Sequence, residues 1–177
     1  MAAKQSVYIV EVIQNVVKDV SAKLGRAVYY QYGGFKEVFE NLIQLTNAQS
    51  PKTYPLVWLV TDIKEDSGKE LDVYSEANLN ILIFNVTKPD YKAPERTEKS
   101  FKSILNPIYE QLIDSIKYSN EIKTEMNGLS KHTHFKHYSW GRDKIEMEKN
   151  GVKFSDFIDC IEIQNISLKF KNKNNCK

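Results

Sequence analysis

The chain has 177 residues, of which 41% are hydrophobic and 27% are charged, and this composition is typical of one soluble globular domain with a substantial core. Its net charge of +2 gives no overall sign of nucleic-acid binding. No apolar run approaches the roughly 20 residues of a membrane span, and the N-terminus lacks the pattern of a signal peptide. We therefore expect a protein made in the cytoplasm, with no membrane partner.

Two helices and a short strand are predicted at the start of the chain. Apolar residues recur at helical spacing from Val7 to Leu24, and Gly25 can end this helix. The β-branched residues in this stretch keep a strand over residues 7–13 open as an alternative. The segment AVYYQY, residues 27–32, predicts a short strand that stops at a Gly-Gly pair, and helical spacing returns from Phe35 to Leu45.

A long β-hairpin is predicted over residues 56–86, and the functional interpretation depends on it. The segment LVWLVT, residues 56–61, is apolar on both faces, and a polar segment with a Ser-Gly turn signal follows it. From Val73 onward apolar and polar residues alternate, and from Leu82 to Val86 both faces are apolar. At about 3.3 Å per residue this second strand is roughly 45 Å long, against roughly 17–20 Å for a usual strand. We therefore expect its N-terminal, amphipathic half to project from the domain as an arm.

The C-terminal half of the chain is predicted to add one helix and two strands. A broad apolar stripe indicates a helix from Glu95 to Tyr118, which Pro107 should kink or split. Residues 132–140 form a weakly alternating strand. The last strand spans residues 157–170, and its apolar residues change face near Gln164-Asn165, which predicts a β-bulge or bend there.

This order of elements predicts an α+β fold. We expect a mostly antiparallel sheet with a long projecting β-hairpin, flanked by helices that pack on one face. Residues 1–170 form a single domain in this interpretation, and the Lys/Asn-rich residues 171–177 form a flexible tail. Cys160 lies in a predicted strand and Cys176 in the tail. Two reduced thiols fit an intracellular protein best, although a disulfide between them stays open.

Two groups of residues raise the question of metal-dependent chemistry. His132 and His134 share one face of a strand, with His137 nearby, but no cysteine or carboxylate completes a recognisable ligand spacing. Asp159 and Glu162 resemble part of a nuclease metal cluster, yet residues three apart on a strand point to opposite faces. The sequence also lacks a phosphate-loop fingerprint and a G-x-S-x-G nucleophile motif. We therefore predict no catalytic, metal or cofactor-binding residues and no enzyme activity.

Exposed hairpin residues are the predicted contacts with other protein chains. The chain contains ten tyrosines and two tryptophans, residue types that are enriched in protein interfaces as well as in ordinary strands. Combined with a projecting hairpin, they favour a protein that binds its own copies. The candidate interface residues belong to the charged tip of the hairpin and to the polar face of its second strand: Lys64, Glu65, Asp66, Lys69, Glu70, Tyr74, Glu76 and Asn78.

Element order and several apolar signatures resemble one group of phage proteins. The segments FKEVFENLIQLTN, YPLVWLVTD, NLNILIFNVT, APERTEKSF and DCIEIQNISLKF follow one another between residues 35 and 170. In this order they resemble the small neck proteins of tailed bacteriophages, the tail terminator and head–tail joining group, including those of phages and prophages of Bacteroidetes. The resemblance covers residues 7–170 and depends on element order and on apolar signatures such as YPLVWL, with no invariant motif.

This resemblance implies a structural virion protein without catalytic residues or cofactors. Proteins of this group form rings, often hexameric and in some positions dodecameric, around the DNA channel of the neck. The expected partners are other copies of the chain and the neighbouring portal, connector or tail proteins, while DNA passes the lumen without specific binding. The ring would be assembled in the host bacterial cytoplasm and retained in the virion. Two alternatives stay open: a metal-dependent phage-encoded nuclease, and an adaptor of a tail-related secretion machine.

Overall fold

A six-stranded mixed sheet flanked by helices forms the described part of the chain. The computed structural model describes residues 2–47, 54–66, 74–123, 132–140 and 157–171. The fold is α+β, as the order of predicted elements indicated. The strands are β1 (Tyr29–Gly33), β2 (Leu56–Asp66), β3 (Tyr74–Thr87), β4 (Ile122–Lys123), β5 (Thr133–His137) and β6 (Phe157–Lys171).

The sheet is mostly antiparallel, as predicted, and one pair of strands departs from that arrangement. The strand order is β1-β2-β3-β6-β4, and β5 pairs with β6 beside β4. β1 and β2 are parallel and are joined through helix α2 (Phe35–Asn47). A parallel pair needs such a crossover connection, and the crossing helix then lies against a face of the sheet.

Two further helices pack on the opposite face from α2. Helix α1 is Ala2–Leu24, and Gly25 follows it with φ of 60°, a left-handed conformation that glycine adopts at low cost. Helix α3 is continuous and has three parts: α-helical Ala93–Arg96, π-helical Thr97–Leu105 and α-helical Asn106–Lys117.

The middle of α3 shows how the chain accommodates the proline predicted to disturb it. Pro107 is the second residue of the last α-helical part and cannot donate a backbone hydrogen bond. The preceding segment is π-helical, and the Asn106 N–H donates to the Phe101 carbonyl, five residues back. The expected kink or split therefore takes the form of a local change in the helical hydrogen-bonding pattern.

Different helices cover the two faces of the sheet, so the prediction that all helices pack on one face is wrong. On one face α2 contributes Val38 and Leu42 to a cluster with Trp58 and Phe84. β2 and β3 are apolar on both faces, so both faces of the sheet need cover, and α2 provides it on this one. On the other face α1 and α3 pack in the largest core cluster, whose helical members include Ile9, Ile13, Val20, Phe101, Leu105, Ile108 and Leu112 and whose strand members include Val57, Leu59, Ile81 and Ile83.

Both neighbours of β3 shift register near its middle, β6 opposite Asn80 and β2 opposite Leu79. In β6 the register shifts across Gln164 and Asn165, which face the single residue Asn80, and Asn165 has φ of 55°. In β2 the register shifts between Val60 and Lys64. The bulge predicted at Gln164-Asn165 is therefore confirmed. It keeps the apolar residues before and after it in one core cluster: Ile161, Ile163, Ile166, Leu168 and Phe170.

The bulges divide the sheet into a proximal half, which contains β3 residues 81–87, and a distal half, which contains β3 residues 74–79. The β2–β3 hairpin is long, as predicted, and β6 pairs with β3 throughout its described length. The distal half of β3 is therefore the middle of a three-stranded ribbon, with Ala77 and Leu79 buried against the helices. The expectation that this half of the strand projects as an arm is wrong for residues 74–79, because β6 pairs with them and their apolar face packs in the core. The hairpin tip and residues 172–177 lie outside the described part of the chain, so projection of the tip and flexibility of the tail stay predictions.

Candidate functional site

The distal half of the sheet has a polar outer face that carries Glu76 and Asn78, two of the predicted interface residues. The Glu76 side chain is 46% exposed and lies 4.0 Å from the Lys169 ammonium group. Its carboxylate also accepts a hydrogen bond from the Ser167 hydroxyl. Asn78 is half-buried on the same face. β3 and β6 thus orient this polar surface through cross-strand contacts, while its contact with another chain stays a prediction.

Among the described strands, none pairs with the outer edge of β2 beyond Val60. β1 pairs with β2 only from Leu56 to Val60, whereas β2 continues beside β3 as far as Asp66. Among the strands that the structure describes, residues 64–66 therefore pair on one side only, with β3, and residues 61–63 lie within the register shift between Val60 and Lys64. Backbone N–H and C=O groups on such an edge are available to pair with another chain.

The remaining predicted interface residues are placed only in part. The backbone of Lys64, Glu65 and Asp66 lies on the open segment of β2, and the backbone of Tyr74 pairs with Lys171 of β6. Lys69 and Glu70 fall outside the described residues. The structure thus places three of the eight predicted residues on an open strand edge, which is a backbone feature that side-chain patterns alone do not reveal.

β5 presents a second open edge on the opposite side of the sheet. It pairs with β6 over residues 160–164 and with no other strand among those described. The side chains from Thr133 to Lys136 are exposed, and Phe135 keeps 44% of its surface in contact with solvent. Sequence reasoning predicted a weakly alternating strand here and weighed its histidines for metal binding, but it did not identify an open edge. An exposed aromatic side chain beside open backbone groups suits a strand that adds to another sheet.

Two of the three histidines in this region converge on one tyrosine. The Tyr109 hydroxyl lies 2.9 Å from His132 Nε2 and 3.2 Å from His134 Nδ1. Because a phenol has one proton to donate, it can donate to one ring and accept from the other. Partial burial lowers the pKa of His134, and the charges of Lys136 and His132 add to this effect. Burial, with a contribution from Glu110, raises the pKa of the Tyr109 phenol.

The two carboxylates of the nuclease hypothesis lie on opposite faces of β6, as the strand geometry predicts. Asp159 binds Arg96 of α3, whereas Glu162 Oε2 lies 2.9 Å from His137 Nε2. The two groups therefore do not converge on a common point. Within the described residues, no three His, Cys, Asp or Glu side chains are placed to hold a metal ion.

A buried ion pair connects the start of α3 to β6. Arg96 Nη1 lies 2.9 Å from Asp159 Oδ1, and the two side chains are only 5% and 0% exposed. The Arg96 Nε also donates to the Tyr91 carbonyl at 3.1 Å. Ser139, which has φ of 57°, donates its backbone N–H to the same Asp159 oxygen at 3.1 Å. Charge-assisted hydrogen bonds in this dry site fix α3, β6 and the turn after β5 relative to one another.

Sequence reasoning missed this ion pair, although one signal for it was present. Asp159 lies in the apolar segment FIDCIEI, and a carboxylate buried in a strand needs a cationic or hydrogen-bonding partner. The partner lies 63 positions away, and the chain has 25 lysines and arginines to choose from. The sequence could therefore indicate that a partner exists without identifying Arg96.

Three further observations bear on the class of protein. Cys160 is buried in the cluster beneath α2, and Cys176 lies outside the described residues, so the predicted redox state of the pair stays a prediction. Within the part of the chain that the structure describes, no helix is both long enough and apolar enough to span a membrane.

Comparison with protein-family models finds no match to this chain, and comparison with curated proteins finds none either.

Proposed function

We propose that this chain is a structural virion protein that assembles with its own copies into a ring at the neck of a tailed bacteriophage, as a tail terminator or head–tail connector. The observation that carries the proposal is the open distal edge of β2, which belongs to a ribbon held by three strands. The resemblance of the sequence to phage neck proteins supports the location.

Ring closure explains why an open strand edge would be useful. A closed ring needs a heterologous interface, in which one surface of each copy meets a different surface of the next copy. The distal edge of β2 can add to a strand of a neighbour, and main-chain hydrogen bonds then supply affinity. The charged residues of segment 64–70 would set the register of that contact more than its strength.

The charge of the chain is compatible with a ring that encloses DNA. Binding to DNA grows with the number of phosphates that lysines and arginines neutralise. The chain has 25 basic and 23 acidic residues, so its net charge is small. A lumen with mixed charges would let DNA pass without specific binding. The neighbouring portal, connector or tail proteins would then contact the two ends of the ring.

The mass of the full-length chain in solution tests this proposal. Light scattering during size-exclusion chromatography should give six or twelve times the 20.5 kDa of one chain, and electron microscopy should show rings of that stoichiometry. Dilution should dissociate the rings, because each copy is held only by reversible contacts with its two neighbours. A chain that stays monomeric at every concentration would overturn the proposal and would fit the adaptor alternative instead.

A further inference from the structure

We infer that β5 is the strand that receives the distal edge of β2 from the neighbouring copy. In the assembled ring, residues 133–137 of one copy would pair with residues 61–66 of the next, and the sheets of adjacent copies would become continuous. This inference rests on the proposed function and names the surface that completes the heterologous contact. The occupant of the β5 edge is therefore a second copy of this chain.

The positions of the two edges suit a head-to-tail contact. β2 and β5 border opposite sides of the sheet, with β3 and β6 between them. Each copy can therefore use one edge to the left and the other to the right. Beyond Val60, β2 continues through Asp66, and β5 spans five residues from Thr133 to His137, so the two segments have similar lengths.

The charges of the two edges are complementary. Residues 61–66 carry three acidic residues and one lysine, which gives a formal charge of −2. Residues 132–137 carry one formal positive charge, on Lys136, and no acidic residue. Opposite charges favour pairing of unlike edges, while like charges disfavour the pairing of two β2 edges or two β5 edges. Electrostatics thus selects the head-to-tail arrangement that a ring requires.

The outer edge of β1 fits the acidic segment less well. β1 has the sequence YYQYG and contains no charged residue to complement residues 61–66. β5 in addition offers Phe135, whose exposed ring would lose contact with water when a strand is added. We therefore assign the contact to β5, and protection of β1 becomes an outcome that the experiment can detect.

The pairing of β5 with β6 shows which backbone groups of β5 face outward. The Ile158 carbonyl accepts a hydrogen bond from the Trp140 N–H on the β5 side, so even-numbered residues of β6 direct their backbone groups to that side. Their partners in β5 are the odd-numbered residues. The N–H groups of His134 and Lys136 therefore point away from the sheet. Because the His134 ring contacts Tyr109, Lys136 is the better position for a test.

The first test compares Lys136→Pro with Lys136→Gln in the full-length chain. Both variants lose the positive charge, but only proline removes the outward N–H. We expect the ring of Lys136→Pro to dissociate at a concentration about tenfold or more above that of Lys136→Gln. Equal ring stability of the two variants would overturn the β5 assignment while the proposed ring stands. Absence of rings from the unmodified chain would overturn the proposed function itself.

Hydrogen exchange of the unmodified chain gives a second readout, because proline can also disturb β5 within its own copy. The amides of His134 and Lys136, and those amides of residues 61–66 that point away from β3, should exchange more slowly in the ring than in dissociated subunits. Exchange at the same rate in both states would overturn the inference. Protection of residues 29–33 in place of residues 133–137 would also overturn it and would assign the contact to β1.

Discussion

β3 runs through both halves of the sheet, and the two halves bury it differently. In the proximal half, Phe84 packs beneath α2 while Ile83 packs beneath α1 and α3, so both faces of the strand are covered. In the distal half, Leu79 is buried on the inner face, whereas Glu76 remains exposed on the outer face. The polarity of alternate residues along one strand thus reports how many of its faces are covered.

The largest expected loss of stability comes from a substitution in the proximal half, on the face of the sheet that α2 covers. Phe84→Ala removes a fully buried ring whose centroid lies 4.8 Å from that of Trp140, and it should lower the free energy of unfolding by about 4 kcal/mol. Asn78→Ala, on the same face in the distal half, should change it by less than about 0.5 kcal/mol. Equilibrium denaturation in urea measures both values. If Phe84→Ala and Asn78→Ala lowered the free energy of unfolding by similar amounts, this face would not be buried differently in the two halves of the sheet.

A substitution at the buried ion pair tests whether the proximal half depends on a charge as well as on packing. Arg96→Met leaves the Asp159 carboxylate buried without its cation and should lower the free energy of unfolding by about 3 kcal/mol. The double variant with Asp159→Leu removes both charges and should recover most of that loss. Urea denaturation of both variants provides the comparison. If the double variant were no more stable than Arg96→Met, the loss would come from packing and not from the unpaired charge.

The bulge at the boundary between the halves should show a smaller effect. Asn165 has a left-handed backbone, which asparagine and glycine tolerate better than β-branched residues do. Asn165→Val should therefore lower the free energy of unfolding by about 1–2 kcal/mol. Asn165→Gly keeps the conformation accessible and serves as the matched control, with little expected change. Thermal unfolding of both variants measures the difference, and equal losses would exclude backbone conformation as the cause.

The smallest effect concerns pH at β5, which borders the proximal half. Because the pKa of His134 is lowered in the folded chain, the unfolded chain binds this proton more tightly. The contribution of His134 to stability is therefore present above pH of about 6.5 and is lost as pH falls through the folded-state pKa. Lys136→Gln removes a nearby positive charge and should raise the pKa of His134, although burial still lowers it.

Titration followed by NMR measures the pKa of His134 directly. Lys169→Gln removes a lysine from the distal half and provides the matched control, since that side chain lies beside Glu76 and not beside the histidine. The pKa of His134 should stay unchanged in this control. If the pKa of His134 rose by the same amount in Lys136→Gln and Lys169→Gln, the effect would come from the overall charge of the chain. The histidine would then respond equally to charges in both halves of the sheet.

The pattern within single elements is predictable from the sequence, whereas pairing between distant elements is not. Alternation along β3 assigns each side chain to a face, and the change of phase in β6 predicts the bulge at Gln164-Asn165, because both follow from the period of a strand. The parallel pairing of β1 with β2 was not predicted. A five-residue strand carries no local signal for the direction of its partner, and the position of α2 follows from that direction.

The candidate site is likewise predictable from the sequence where it depends on the pattern within one strand, and not where it depends on strand pairing. The polar face of β3 follows from alternation, so Glu76 and Asn78 are placed correctly on the outer face. The open edges depend on where β1 ends along β2 and on which strand lies last in the sheet, and both are properties of topology. The contact of Arg96 with Asp159 likewise depends on the packing of α3 against β6. Function inferred from side chains alone therefore misses edges and buried pairs.

The register shifts on both sides of β3 also bear on how the length of the hairpin could vary. They set the register of the distal half of the ribbon, whose described residues follow a simple two-residue repeat. Insertions of two residues in each strand would lengthen the hairpin and leave every inward side chain facing inward. An insertion of one residue would reverse the faces of the added segment. Hairpin length can therefore vary in even steps on an unchanged body.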